Sequence, residues 1–101
     1  MSDLAERVVN MVAAIPGGRA MTYGDVARLT GTGARAVGRI LHNGGHEIPW
    51  WRVVDAAGRP FRAAAHDARV KFLEESTPLI DDTGDDVQVD LVRASWSPHD
   101  A

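Results

Sequence analysis

The sequence predicts one mainly α domain with a short β element, arranged as a winged helix-turn-helix-like unit. Three observations carry that expectation. Apolar residues recur at helical spacing in four stretches, and a Gly or Pro signal closes each of them. Two of the stretches are short and flank the turn Thr30-Gly31-Thr32-Gly33. The segment Ile48-Pro49-Trp50-Trp51-Arg52-Val53-Val54, by contrast, is apolar and rich in β-favouring residues.

Taken in order, Asp3 with Glu6 has capping-box spacing, and Leu4, Val8, Met11, Val12 and Ile15 share one helical face. This predicts a helix over residues 3–15, stopped by Pro16-Gly17-Gly18. Thr22 and Asp25 repeat the capping spacing before Val26, Ala27 and Leu29, a short second helix. After the glycine turn, residues 34–41 set Val37, Ile40 and Leu41 on one face and Arg35 and Arg39 on another. Such a pair reads either as a DNA-binding helix-turn-helix or as an ordinary helical hairpin. Asn43-Gly44-Gly45-His46-Glu47 ends the third helix, and a turn or buried strand follows over 48–54, closed by Asp55-Ala56-Ala57-Gly58. Residues 63–75 favour a fourth helix, with Val70, Phe72 and Leu73 as core candidates, bounded by Pro78. Residues 81–86 form an acidic, mobile loop, and Val87, Val89 and Leu91 alternate with Gln88, Asp90 and Val92 as an edge strand over 87–92.

Size and composition narrow the function. A chain of 101 residues that is 45% hydrophobic supports one core, hence a single domain over 1–101. It opens Met1-Ser2-Asp3 with no basic start and apolar run, and no stretch approaches the ~20 apolar residues that cross a bilayer. A cytoplasmic protein with no membrane association is expected, lying on the nucleoid if the source is bacterial. Cysteine is absent, which excludes disulfides, thiolate metal sites and a cysteine nucleophile. The net charge of −3 conceals a division: residues 19–71 hold nine Lys or Arg against four acids, whereas residues 72–101 hold eight acids against Arg93. A basic centre suits phosphates, and a solvated surface with an acidic end fits the same pattern. His42 and His46 are four apart, but Gly44-Gly45 between them breaks the helix that would align them, so no metal or cofactor is expected.

Two motifs sharpen this reading: Ala34-Arg35-Ala36-Val37-Gly38, and Ile48 to Val54 with its Pro49-Trp50-Trp51-Arg52 centre. Together they resemble the DNA-binding domain of O6-alkylguanine-DNA alkyltransferases, with the similarity running from about Val8 to Glu75 and Trp96-Ser97-Pro98 resembling the family's C-terminal ending. In that family the second motif reads Pro-Cys-His-Arg-Val and the cysteine accepts the alkyl group. Trp50 stands at that position here, as in the alkyltransferase-like proteins, and Trp51 replaces the histidine that those proteins keep. Indole has no lone pair free to attack carbon, so alkyl transfer is not expected.

The resemblance implies a role for each matching residue. Arg35 is the finger that fills the gap left by an extruded nucleotide; its plain alternative is an exposed, phosphate-contacting arginine. Tyr23, beside Thr22, crowds the target phosphate, or alternatively packs at a helix start. Ala34, Ala36 and Gly38 let the helix approach the minor groove, and Arg39 faces the same DNA; for Gly38, tight helix packing explains the residue equally well. Trp50 walls the pocket for the flipped base, with Pro49 and Trp51 beside it and Val53 turning its backbone, not its side chain, toward the guanine; Trp51 reads equally as core. Burying the added alkyl carbons favours the lesion by about 1 kcal/mol per methylene-sized group. Arg52 and Asn43 pair to brace the turn. Family members sense the modified guanine with an arginine in the following loop; Ala63 occupies the matching position, so Arg62 or Arg59 stands in. Glu75, which supports the histidine and cysteine in the enzymes, is left as a helix-end charge. The function implied is a monomer that recognises O6-alkylguanine in double-stranded DNA without repairing it and flags it for nucleotide excision repair proteins. The alternative is a helix-turn-helix transcriptional regulator without lesion specificity.

Overall fold

The computed structural model describes residues 2–43 and 47–100, so the Gly44-Gly45 break and the His42/His46 spacing fall partly outside the described residues. Helix α1 spans Asp3–Ala13 and is capped by Ser2, whose hydroxyl accepts from Ala5 N at 3.1 Å. The cap is thus one residue earlier than the Asp3/Glu6 spacing suggested, and both acids lie in the first turn, where they favour the positive end of the helix. The helix also ends short of residue 15. Pro16 restricts Ile15 to an extended conformation, and the chain leaves by two tighter bonds, Ala14 N to Met11 O and Ile15 N to Val12 O.

Helix α2, Tyr23–Thr30, starts at the Thr22 cap and ends at Gly31 in the left-handed conformation, with φ 79°. Helix α3, Ala34–Asn43, follows after the short turn. Val8 and Val12 of α1, Val26 and Ala27 of α2, and Val37 and Leu41 of α3 form one buried cluster with Ile15, Met21 and Val53. This is the hydrophobic centre of the helix-turn-helix.

Beyond it, Trp50–Arg52 makes one 3-10 turn and β2, Val53–Val54, pairs in parallel with β1, Met21–Thr22, in the register Met21 to Val53 and Thr22 to Val54. Successive strand side chains point to opposite faces. Val53 therefore joins the helical core, whereas Val54 joins a second one built from Ala20, Ala68, Phe72, Val87, Val89 and Ala94. This two-residue ladder connects the halves of the domain.

The second half departs from expectation in three places. A 3-10 turn over Arg62–Ala64 precedes α4, Ala65–Glu74, whose inner face is Ala65, Ala68 and Phe72; Val70 and Leu73 are 40% and 47% exposed, not core. The spacing of the two alanines and Phe72 sets that face, and tertiary packing selects it over the alternative apolar stripe. The expected strand over 87–92 shrinks to β4, Gln88–Val89, paired antiparallel with β3, Leu79–Asp81. Asp90 ends it, because its carboxylate accepts from Val92 N at 3.1 Å and starts a short helix, α5, over Leu91–Ala94. The acidic stretch 81–86, expected as a loop, contains local turn structure: Asp81 Oδ1 accepts from Thr83 N and Oγ1 at 2.9 and 2.6 Å, and Gly84–Asp86 is a 3-10 turn.

The loop after β2 is drawn tightly onto this half. Asp55 Oδ1 accepts from Ala57 N and Arg59 N, both at 2.9 Å, and Val89 N donates to Gly58 O at 2.8 Å. Gly58 has φ 89°, and a Cβ there would lie 2.3 Å from Val89 O, so only glycine fits this close approach. The chain leaving it is thereby aimed back toward α3.

Candidate nucleic-acid interface

An open cleft of about 780 Å³ lies where the start of α2, the outer face of α3 and the loop after β2 meet. Of the residues expected to touch DNA or a flipped base, Thr22, Tyr23, Ala34, Arg35, Gly38 and Arg39 line it, and Arg62 closes the far side. Arg35 and Arg39 are exposed and one helical turn apart, and Gly38 between them has open space where a side chain would begin. With Arg59 and Arg62, four arginines among the described residues line the cleft beside the single acid Asp55, the Arg59 guanidinium donating Nη1 to Asp86 O at 3.0 Å. Such a lining attracts a phosphate backbone.

Its floor is aromatic, and two of the rings were missed by sequence reasoning. His42 stacks on Phe61 with centroids 3.9 Å apart and planes 14° from parallel. Its Nε2 lies 2.8 Å from Tyr23 Oη, and its ring meets Trp50 edge-on at 6.0 Å. Burial pushes the Tyr23 phenol up to about 12, with the Asp55 charge adding to the effect, and burial lowers His42 below its usual value. Both shifts favour the neutral forms; the imidazole tautomer protonated at Nδ1 accepts the phenolic hydrogen at Nε2, and the other tautomer donates to the phenolic oxygen. No sequence spacing pointed to this pair, since His42 and Phe61 meet only when the loop after β2 folds back; the available sign was an apolar residue beside Arg62 in a loop.

Trp50 is placed differently from the expectation. It lies behind His42, packs against the second core and, with Pro49, Trp51 and Arg52, lines a separate shallow hollow of about 480 Å³ beside Ala13 and Ile48. Pro49, Trp50 and Trp51 are therefore not among the residues lining the cleft, and Trp50 meets it through the edge of the His42 ring. Val53 is buried in the helical core, and Ala36 is half-buried on α3 outside the cleft lining.

Two supporting assignments are corrected. Arg52 does not brace the turn through Asn43, which lies on the cleft side of α3. It binds Glu75 instead, with Nη2 to Oε1 at 2.6 Å and Nε to Oε2 at 3.1 Å, and donates Nη1 to Ile15 O at 2.8 Å. Glu75 is accordingly far more than a helix-end charge. It also accepts from Trp51 Nε1 at 2.9 Å and from Gly18 N at 3.1 Å, tying α1's exit, the Trp50–Arg52 turn and α4 together. Burial acts to raise its carboxyl, but the bonds from Arg52, Gly18 and Trp51, with the Arg52 charge, outweigh that and hold it below the usual carboxylate range. Trp51 is thereby fixed as a structural ring, with Arg52 and Lys71 over its face at 5.3 and 5.1 Å. Among the described residues no cluster of three or more His, Cys, Asp or Glu is placed to hold a metal, and no helix is long and apolar enough to cross a membrane.

Comparison with known proteins fits this geometry. Residues 3–76 match the family model described as the DNA-binding domain of 6-O-methylguanine DNA methyltransferase. The chain is 49% identical over 98 residues to the DNA base-flipping protein of Escherichia coli, covering 91% of this chain and 73% of that one. It is 29% identical over 107 residues to alkyltransferase-like protein 1 of Schizosaccharomyces pombe, covering 97% and 98%. The crystal structure of the S. pombe protein in complex with damaged DNA containing O6-carboxymethylguanine superposes with a TM-score of 0.82 at 26% identity, over 97% of this chain and 98% of that one.

Proposed function

Since the chain belongs to the family of 6-O-methylguanine DNA methyltransferase DNA-binding domains, we propose that it binds double-stranded DNA, swings O6-alkylguanine out of the duplex and holds it without removing the alkyl group. One observation carries the reading: the basic, aromatic-floored cleft is present, yet the whole chain contains no cysteine. Alkyl transfer needs a nucleophile that gives up a proton and keeps the carbon, and neither Trp50 nor any thiol supplies it. The base-flipping and alkyltransferase-like names of its relatives, and the damaged DNA bound by the S. pombe protein, support the same conclusion.

In this reading α3 lies in the minor groove, where Ala34 and Gly38 permit close approach. Arg35 enters the base stack, and Arg39, Arg59 and Arg62 hold the backbone on either side. Tyr23 crowds the phosphate of the extruded nucleotide, Trp50 forms the back wall of its pocket, and Arg62 or Arg59 meets the purine. Unstacking is easiest at a mispaired or alkylated base, which adds to the preference from burying the alkyl carbons. A protein that holds a lesion without curing it acts through others. Handover to nucleotide excision repair proteins, by a monomeric cytoplasmic protein, completes the proposal.

The test is a titration of matched duplexes with and without one O6-methylguanine, followed by mass measurement of the protein. Tighter binding to the lesion with unchanged mass is expected. Added mass would reveal a transferase, and equal affinity for both duplexes would leave only a general or sequence-reading DNA binder. Arg35→Ala should weaken lesion binding at least tenfold, since its loss leaves the vacated stack unfilled.

A further inference from the structure

We propose that Phe61 is the stacking surface for the extruded base, and that in the free protein the His42 imidazole occupies the place the base will take. The inference rests on the flipping reading and names the side chain that receives the base.

The geometry already contains the interaction in miniature. His42 lies over Phe61 at 3.9 Å and 14°, the spacing and tilt of stacked bases, and an imidazole is the five-membered ring of a purine. Phe61 is 38% exposed, a large aromatic ring held open at the cleft. Its backbone position is secured by buried Pro60 before it and by Ala64 N donating to Phe61 O at 3.1 Å. The ring is therefore presented by a fixed chain while its partner is exchangeable: His42 belongs to the last turn of α3 and is held by Tyr23 Oη and by edge contact with Trp50. An entering purine would replace the imidazole on Phe61 with a larger stack. Displacement of His42 would also open the way to Trp50, which now lies behind it. The exchange thus links the observed position of Trp50 to its proposed role as back wall.

The experiment compares wild type, Phe61→Leu and Phe61→Trp on a short duplex carrying one O6-methylguanine and on the same duplex with guanine. Phe61→Leu keeps an apolar side chain but loses the π face, so its affinity for the lesion duplex should fall roughly tenfold while affinity for the intact duplex holds. Phe61→Trp should retain the wild-type preference. By NMR, the ring protons of His42 should leave the upfield position imposed by Phe61 when the lesion duplex is added. A Phe61→Leu protein with undiminished lesion preference, or one weakened equally on both duplexes, overturns the assignment, as does a His42 signal that stays in place. Absence of lesion preference in the wild type is a different result, seen before any variant is made, and it removes the flipping reading itself together with this one.

Discussion

Replacing Glu75 should destabilise the domain more than its place at a helix end suggests. The carboxylate accepts from Arg52, Trp51 and Gly18, and the Arg52 and Glu75 side chains are only 19% and 15% exposed. Removing one member of a buried ion pair costs ~3–5 kcal/mol, because the other charge is left without compensation. Here residual exposure admits water, and Arg52 keeps its bond to Ile15 O, so the lower end applies. For Glu75→Ala we expect about 3 kcal/mol, which for a domain of this size lowers Tm by roughly 12–24 °C. Glu75→Gln retains one acceptor oxygen and should lose about half as much. The assay is thermal and guanidinium unfolding followed by circular dichroism, repeated across pH. A carboxyl lowered in the folded state contributes stability that is fully present above its unfolded value of about 4.5 and is lost as the pH falls through its folded value. The gap between wild type and Glu75→Gln should therefore be constant near neutrality and close in acid. A Tm loss under 4 °C for Glu75→Ala, or a gap that persists unchanged into acid, would refute the account of Glu75 as a charged junction.

Other predictions follow from single contacts. Gly58→Ala should cost about 3 kcal/mol, from the left-handed backbone and the collision with Val89 O, whereas Gly31→Ala, with comparable φ and open space around it, should cost only about 1 kcal/mol; equal losses in guanidinium melts would contradict the packing argument. Thr22→Ala removes the cap that accepts from Asp25 N at 3.0 Å and should cost about 1 kcal/mol in the same melts. Because burial lowers His42 in the folded state, the unfolded chain binds its proton more readily, so stability should decline as the pH drops below about 6.5. His42→Phe should flatten that decline, and an unchanged pH profile would show that another group causes it.

The division of the proposed mechanism between rigid and exchangeable parts has a physical basis. The rigid parts are those whose polar groups are satisfied across distant segments, as Glu75 does for the turn bearing Trp50. The cleft differs: Arg35 and Arg39 stand in solvent and the His42–Phe61 stack has one open side. Rings and cations left exposed in this way are free to trade solvent and one another for a nucleotide.

The helix-turn-helix was readable from the sequence because its determinants are local. Thr22 caps, Gly31 turns left-handed, and the periodic Val26, Val37 and Leu41 need only their neighbours' spacing to identify a buried face. The absence of a nucleophile is likewise a property of composition. The Asp90 cap on Val92 N is local too, although the alternating pattern masked it. Tertiary structure alone decided that Arg52 answers to Glu75 and not to Asn43, that Trp50 lies behind the cleft, and that α4 buries its alanines. Each of these depends on groups brought together from far apart along the chain, or on a choice between two apolar faces. Periodicity registers neither. His42 meeting Phe61 is the strongest instance, since 19 residues, a two-residue ladder and the Gly58 contact on Val89 must all be in place before those rings can touch.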